Sequence, residues 1–199
     1  MNAASEGYSG GKMGMWLFCA TEMILFGGLF LLYAMYRFKN PASFHAASAE
    51  LSRPLGSLNT CILLTSSFMA ALSVLSLRRD NRTHAGFYLL ATIGLAAAFL
   101  AVKGCEWAAK FHHGLYPNSP ELLLKPKGVI LYFGLYFTMT GLHALHVIIG
   151  IGILSVICAW ILRGKVTAKR PILLENAILY WSVVDAIWLF LFPLFYLVS

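Results

Sequence analysis

Five long apolar stretches constrain this chain more than any other feature of its sequence, because each is long enough to cross a bilayer. A helix rises about 1.5 Å per residue and the hydrocarbon core is about 30 Å thick, so one span needs about 20 mostly apolar residues. The stretches do not alternate apolar and polar residues with period two, which favours helices over strands. The predicted spans cover residues 13–36, 57–77, 86–110, 128–162 and 174–198.

Composition and charge support a location in the membrane. Apolar residues make up 59% of the 199-residue chain and charged residues only 12%, whereas about a quarter of a soluble domain is charged. The net charge of +7 comes from basic residues in the gaps between spans, which suits anionic lipid headgroups rather than nucleic acid. We therefore predict an all-α membrane protein, with an N-terminal arm over 1–12 and a single five-helix transmembrane domain over 13–199.

The cysteines and the first residues of the sequence do not predict a redox or secretory feature. All four cysteines fall within predicted spans without Cys-x-x-Cys spacing, so we expect small apolar side chains rather than a disulfide or a zinc site. The first span follows closely on the arm and carries a glutamate, which is unlike a signal peptide. The cysteines are Cys19, Cys61, Cys105 and Cys158.

Lysine and arginine residues next to the spans predict the orientation of the bundle. The N-terminal arm and the gaps after the second and fourth spans hold eight of these residues, and the opposite gaps hold six. This bias favours a cytoplasmic N-terminus and a C-terminus on the outside.

Six ionisable side chains that lie away from the span ends are the candidate functional residues. An ionisable group at the bilayer centre costs about 2.5–3.5 kcal/mol, so each should face the bundle interior or a watery cavity. The six are Glu22, Lys103, Glu106, His143, His146 and Asp185.

Two of the three acids, Glu22 and Glu106, each need a partner or a proton to offset their charge inside the membrane. Glu22 lies near the middle of the first span without a base on its own helix, so it must be protonated or paired with another helix. Three roles stay open for it: helix fastening, proton or oxygen handling for a partner, and direct acid chemistry. Lys103 and Glu106 are three residues apart on one face. With Trp107 beside them near the helix end, they predict an interfacial ion pair that anchors the helix.

The histidines of the fourth span raise the question of a metal site. His143 and His146 lie one turn apart, but a bis-histidine haem needs ligands from two helices. A di-iron site needs about four carboxylates with Glu-x-x-His pairs. We therefore predict neither a metal nor a catalytic residue, and favour two hydrogen-bonded packing histidines. Asp185, on an aromatic stripe of the fifth span, needs a donor, and the face with His143 and His146 is the candidate.

Five motifs, one on each span in chain order, make the sequence similar to subunit III of haem-copper terminal oxidases. The resemblance runs from Met13 to the end and fits the short five-helix bacterial form, a cytochrome c oxidase subunit III-like bundle. The motifs are Trp16-x5-Glu22-x3-Phe26, Asn59-Thr60 leading to Ser66-Ser67, Lys103-x-x-Glu106-Trp107, Thr140-Gly141-x-His143-x-x-His146 and Tyr180-Trp181-x-x-x-Asp185-x-x-Trp188.

The resemblance implies an accessory subunit in aerobic respiration that binds no haem or copper itself, since both belong to the partner subunit. It implies packing on oxidase subunit I, contact with other oxidase subunits, phospholipid binding, and support of proton uptake, oxygen access and stability during turnover. Glu22 matches the family's buried, carbodiimide-sensitive glutamate. A bacterial cell membrane is the implied location.

One position departs from the family pattern, and two other readings stay open. Ser182 stands where the last-helix motif of the family usually has a histidine. Short relatives also accompany nitric oxide reductases, and the electron donor could be cytochrome c or quinol. From a different class, a proton-coupled transporter would show internal symmetry or interrupted half-helices, which the sequence does not show.

Overall fold

The spans form a helical bundle in the computed structural model of the chain, which describes residues 3–168 and 171–197. Within these residues there is no strand, and a π-helical turn, Pro193–Leu197, closes the last helix. The helices are α1 (Ala3–Lys39), α2 (Pro41–Ser48), α3 (Arg53–Arg78), α4 (Arg82–His112), α5 (Pro120–Leu123), α6 (Lys127–Leu162) and α7 (Ile172–Phe192).

Five of these helices are long and apolar enough to cross a membrane, which confirms the predicted all-α membrane fold. Each predicted span end lies within four residues of the observed one. The predicted arm is helical from Ala3 and continuous with the first span. Four positions used in the predictions lie outside the described residues: 1 and 2 of the arm, and Lys169 and Arg170 of the orientation count. Residue 198, the predicted end of the last span, also lies outside them.

Helix α6 lies at the centre of the bundle and contacts α1, α2, α4, α5 and α7. Its 36 residues exceed what a bilayer requires, as the sequence predicted. Helix α1 is peripheral: it rests on α6 and α7, and most of its apolar side chains are exposed. In a membrane this face of α1 meets lipid or another subunit.

Small side chains join α3 to α4. The Ser66 hydroxyl donates to the carbonyl of Thr92 at 3.3 Å, and the Ser73 hydroxyl donates to the carbonyl of Ala85 at 3.0 Å. Ala70 is fully buried between them. Because small residues let the two backbones approach, the hairpin packs tightly without large side chains.

Proline changes the end of α7. A proline inside a helix usually bends it, and at Pro193 the structure has a π-helical turn that runs to Leu197. In this turn the carbonyls of Leu194 and Phe195 accept hydrogen bonds from the hydroxyls of Tyr33 (2.5 Å) and Tyr132 (2.9 Å). Backbone groups released from the regular ladder are thus satisfied by tyrosines of α1 and α6.

Candidate functional site

Glu22 of α1 and His146 of α6 form an interhelical pair. Oε2 of Glu22 lies 2.8 Å from Nε2 of His146, and the side chains are 14% and 10% exposed. The atoms are at ion-pair distance, although they do not meet in good hydrogen-bond alignment. The sequence indicated that Glu22 must either be protonated or have a partner on another helix, and α6 supplies such a partner.

The other nitrogen of His146 determines what this pair can do. Nδ1 lies 2.8 Å from the carbonyl oxygen of Leu142, which only accepts hydrogen bonds, so Nδ1 carries a hydrogen. Nε2 is therefore the nitrogen that faces the Glu22 carboxyl group. An imidazole nitrogen and a carboxyl oxygen in contact can act as an acid–base pair, and here two helices contribute its two members.

Aromatic residues hold the pair in place. The ring of Phe26 meets the His146 imidazole edge-on, with centroids 5.6 Å apart. The Tyr180 hydroxyl of α7 donates to the His146 backbone carbonyl at 2.9 Å, and its ring stacks on Phe18 at 5.9 Å. Helices α1, α6 and α7 thus converge on the pair of Glu22 and His146.

His143 lies deeper in the bundle and differs from the prediction of a hydrogen-bonded histidine. It is fully buried, and neither ring nitrogen has a hydrogen-bond partner among the described residues. Its ring contacts Phe99 edge-on at 5.5 Å and Trp188 at 5.3 Å. The packing part of the prediction is confirmed, whereas the hydrogen bonds are found only for His146.

Asp185 has a different donor from the predicted one. The hydroxyl of Ser67 on α3 donates to its Oδ2, and neither His143 nor His146 is hydrogen-bonded to it. The predicted pairing with the histidine face is therefore wrong. Helix α3 reaches Asp185 because its small residues allow α3 to lie close to α7.

A second polar cluster surrounds Lys103, buried between α4, α6 and the π-helical turn. Its ammonium donates to Glu106 Oε2 at 3.0 Å, to the Tyr136 hydroxyl at 2.9 Å and to the Tyr196 hydroxyl at 2.7 Å. Tyr196 in turn donates to the Glu106 carboxylate, 2.6 and 2.8 Å from its two oxygens. All three hydrogens of the ammonium are thereby used.

The ion pair between Lys103 and Glu106 is confirmed, and it is enclosed by the bundle. Both side chains are only 2% exposed, so other helices cover the pair. Gly56 of α3 makes room for this arrangement, because an added Cβ there would lie 2.8 Å from the ring of Tyr196. The cluster is closed and fully hydrogen-bonded, which fits a structural role.

The positions of the cysteines and of the other metal-ligating side chains can be compared with the sequence predictions. All four cysteines are free thiols; Cys19 and Cys158 are buried, whereas Cys61 and Cys105 are exposed on the outer faces of their helices. Over residues 3–168 and 171–197, no three His, Cys, Asp or Glu side chains come together as a metal site requires.

Sequence reasoning missed three polar side chains that complete these clusters. Tyr136 and Tyr196 were not among the candidate residues, and Ser67 was named only as part of the second-span motif. Their hydroxyls on buried faces were the available signal, since a buried Lys103 and Asp185 each need such partners. Asn59 of α3 is also fully buried, without a hydrogen-bond partner among the described residues.

Comparison with known proteins adds independent evidence. The sequence model of the family described as cytochrome c oxidase subunit III matches residues 3–199. A heme-copper oxidase subunit I+III of Aeropyrum pernix is 32% identical over 94% of this chain, which spans 22% of that longer protein. Cytochrome c oxidase subunit 3 of Thermostichus vulcanus is 29% identical over 94% of this chain and 87% of its own length. Cytochrome bo(3) ubiquinol oxidase subunit 3 of Pseudomonas aeruginosa is 28% identical, covering 96% and 87%.

Proposed function

Because the chain belongs to the cytochrome c oxidase subunit III family, we propose that it serves a proton-pumping haem-copper terminal oxidase as a subunit without a redox centre of its own. The observation that carries this proposal is the family match along nearly the whole chain. The partner subunit carries the haem and copper and reduces oxygen to water. The electron donor is cytochrome c or quinol, as the names of different relatives indicate for those proteins.

Oxidase subunit I is the proposed direct partner. In the relative from Aeropyrum pernix, a subunit I and a subunit III are named as one protein. Joining two polypeptides in one chain keeps them in the same membrane and in equal amounts. This arrangement suits subunits that pack together. The exposed apolar faces of the bundle, including much of α1, are available for subunit I and for lipid.

The contact between Glu22 and His146 is the proposed link to oxidase function. Lys12 lies near the start of the membrane-spanning part of α1, and Glu22 is ten residues further, about 15 Å along the helix. At this depth the pair is inside the membrane and away from bulk water. We infer that it supports proton uptake and the stability of the partner during turnover. A location in a bacterial cell membrane, with the N-terminus cytoplasmic, is part of the proposal.

Purification of the tagged chain in a mild detergent tests the assembly. We expect it to bring down a subunit whose spectrum and metal content show haem and copper. A partner with haem and non-haem iron would instead indicate a nitric oxide reductase. Isolation alone, with proton-coupled substrate flux after reconstitution, would indicate a transporter. Either of these two results would overturn the proposal.

A further inference from the structure

Two buried polar groups of α7 have no hydrogen-bond partner among the described residues. They are the indole N–H of Trp181 and Oδ1 of Asp185. Trp181 is fully buried, and Asp185 is only 5% exposed. The indole can only donate a hydrogen bond, whereas a carboxylate oxygen accepts one. Because an unpaired polar group inside a bundle costs free energy, each of these two groups needs a partner.

The two groups lie near each other on α7. Trp181 and Asp185 are four residues apart, which places both side chains on the same face of the helix. The six-membered ring of Trp181 lies against α6, because a Cβ added at Gly150 would be 2.8 Å from its Cε3 and Cζ3. The ring nitrogen is on the opposite side of the indole, so the N–H points away from α6. An unpaired donor and an unpaired acceptor are therefore one helical turn apart.

Helix α3 reaches this part of α7. The Trp188 indole donates to the Thr60 hydroxyl at 3.1 Å, and the Ser67 hydroxyl donates to Oδ2 of Asp185. The two helices are antiparallel, since a later residue of α3 meets an earlier residue of α7. Ser67 follows Thr60 by seven residues, which is about two turns. Trp181 precedes Trp188 by the same number, so it lies level with Ser67, whose oxygen can still accept a hydrogen bond.

An unpaired donor beside an unpaired acceptor identifies the chemistry of the partner that both need. A cation would suit the carboxylate of Asp185 but would be repelled by the indole N–H of Trp181. An anion would suit the N–H but would be repelled by the carboxylate. A neutral molecule that both donates and accepts hydrogen bonds satisfies both groups, and water is the smallest such molecule. The short side chains of Ala70 and Ala71, one turn beyond Ser67 on α3, suit a molecule of this size.

We propose that one water molecule binds between α3 and α7 at this position. Its oxygen accepts a hydrogen bond from the Trp181 indole, and its two hydrogens are donated to Oδ1 of Asp185 and to the hydroxyl oxygen of Ser67. Buried waters typically make about three such hydrogen bonds. With this water, every polar side-chain atom of the three residues is hydrogen-bonded.

The water site lies near the middle of the bilayer. Asp185 is the fourteenth of the 26 residues in the last span, Ile172–Leu197. The water is thus part of the packing between α3 and α7, and it gives the buried carboxyl group a neighbour that can exchange a proton with it. The site is independent of the enzyme that this subunit serves, so a failed water site is distinguished from a failed oxidase assembly.

A double-mutant cycle tests the link through water by chemical denaturation of the purified complex, followed by release of this subunit. Trp181→Phe and Asp185→Leu each remove one partner of the water, so the second change has less to remove. The unfolding equilibrium constant of the double variant should rise about fivefold less than the product of the two single increases. The matched control combines Trp188→Phe with Asp185→Leu, and these effects should multiply because the Trp188 indole has its own acceptor in Thr60. No coupling for Trp181, or equal coupling for both tryptophans, would overturn the proposal.

Electron cryomicroscopy of the intact complex tests the site directly, at a resolution where ordered waters are visible. We expect density for one water about 3 Å from both Nε1 of Trp181 and Oδ1 of Asp185. The unmodified protein is used, so this test holds even if Asp185→Leu prevents assembly. A direct contact between Nε1 and Oδ1, or no density between well-resolved side chains of Trp181 and Asp185, would contradict the site.

Discussion

The carboxyl group of Glu22 on α1 lies 2.8 Å from Nε2 of His146 on α6. Neither side chain has a partner of opposite charge on its own helix, so the pair exists only when the two helices pack. The most peripheral span is thereby tied to the central one by an acid and an imidazole in contact.

A double-mutant cycle should detect this pair. Glu22→Gln and His146→Gln each remove one partner, and we expect a coupling free energy of about 1 kcal/mol between them because contacting residues are not additive. Thermal unfolding of the purified complex, followed by release of this subunit, measures it. The cycle of Glu22→Gln with Ser155→Ala, an exposed and distant serine, serves as the control. If the destabilisation by Glu22→Gln and that by His146→Gln added without coupling, the two side chains would not interact in the membrane.

The Lys103 cluster should be the most sensitive polar feature of the bundle. Lys103→Met leaves the buried Glu106 carboxylate without its cation, which should cost about 3–5 kcal/mol of unfolding free energy. The double change Lys103→Met with Glu106→Leu should recover part of that loss, because no uncompensated charge remains. Chemical denaturation of the subunit in detergent gives both values. A double variant less stable than Lys103→Met would show that the cation is not what Glu106 requires.

Two glycines of α6 make a matched test of helix packing. A Cβ at Gly150 would lie 2.8 Å from the six-membered ring of Trp181, whereas a Cβ at Gly152 would meet nothing within 4 Å. Gly150→Ala should therefore destabilise the bundle by about 1–3 kcal/mol, because Trp181 is fully buried and must move. Gly152→Ala should be neutral or stabilising. Equal melting temperatures for the two variants would argue against the contact between α6 and α7.

The hydroxyl of Ser67 should stabilise Asp185. Ser67→Ala removes the donor to Oδ2 and leaves the buried carboxyl less satisfied, at a cost of about 1–3 kcal/mol. Thr65→Val on the same helix is the control, because that hydroxyl is exposed and bonds only to the Cys61 carbonyl. Thermal melting compares the two. If Ser67→Ala melted like Thr65→Val, Asp185 would have another donor.

The helices and their order could be predicted from the sequence because span length and apolar composition are local properties. The long apolar run at 128–162 and the helix-breaking residues near Pro117 and Gly164 indicate helix boundaries that the structure also has. Lys103 and Glu106 were paired correctly for the same reason, since three residues along one helix fixes their distance. Local spacing is sufficient for such features.

Contacts between helices could not be predicted in the same way. Asp185 has two histidines and several hydroxyls at comparable depth, and only the packing of α3 on α7 selects Ser67. The enclosure of the Lys103 pair was not predicted either, because Tyr196 reaches it through a π-helical turn that the sequence signals only as a proline. Which side chains of different helices come into contact depends on how the helices are rotated and spaced, and the sequence of one span does not determine this.

The number of turnovers completed before inactivation tests the central claim most directly. An oxygen electrode can compare the purified oxidase complex with and without this subunit, and with Glu22→Gln in place. We predict similar initial rates and an unchanged haem and copper content in all three preparations, with fewer turnovers when the subunit is absent or carries Glu22→Gln. An unchanged number of turnovers, or loss of haem or copper in proportion to the removed subunit, would contradict a supporting subunit without a redox centre.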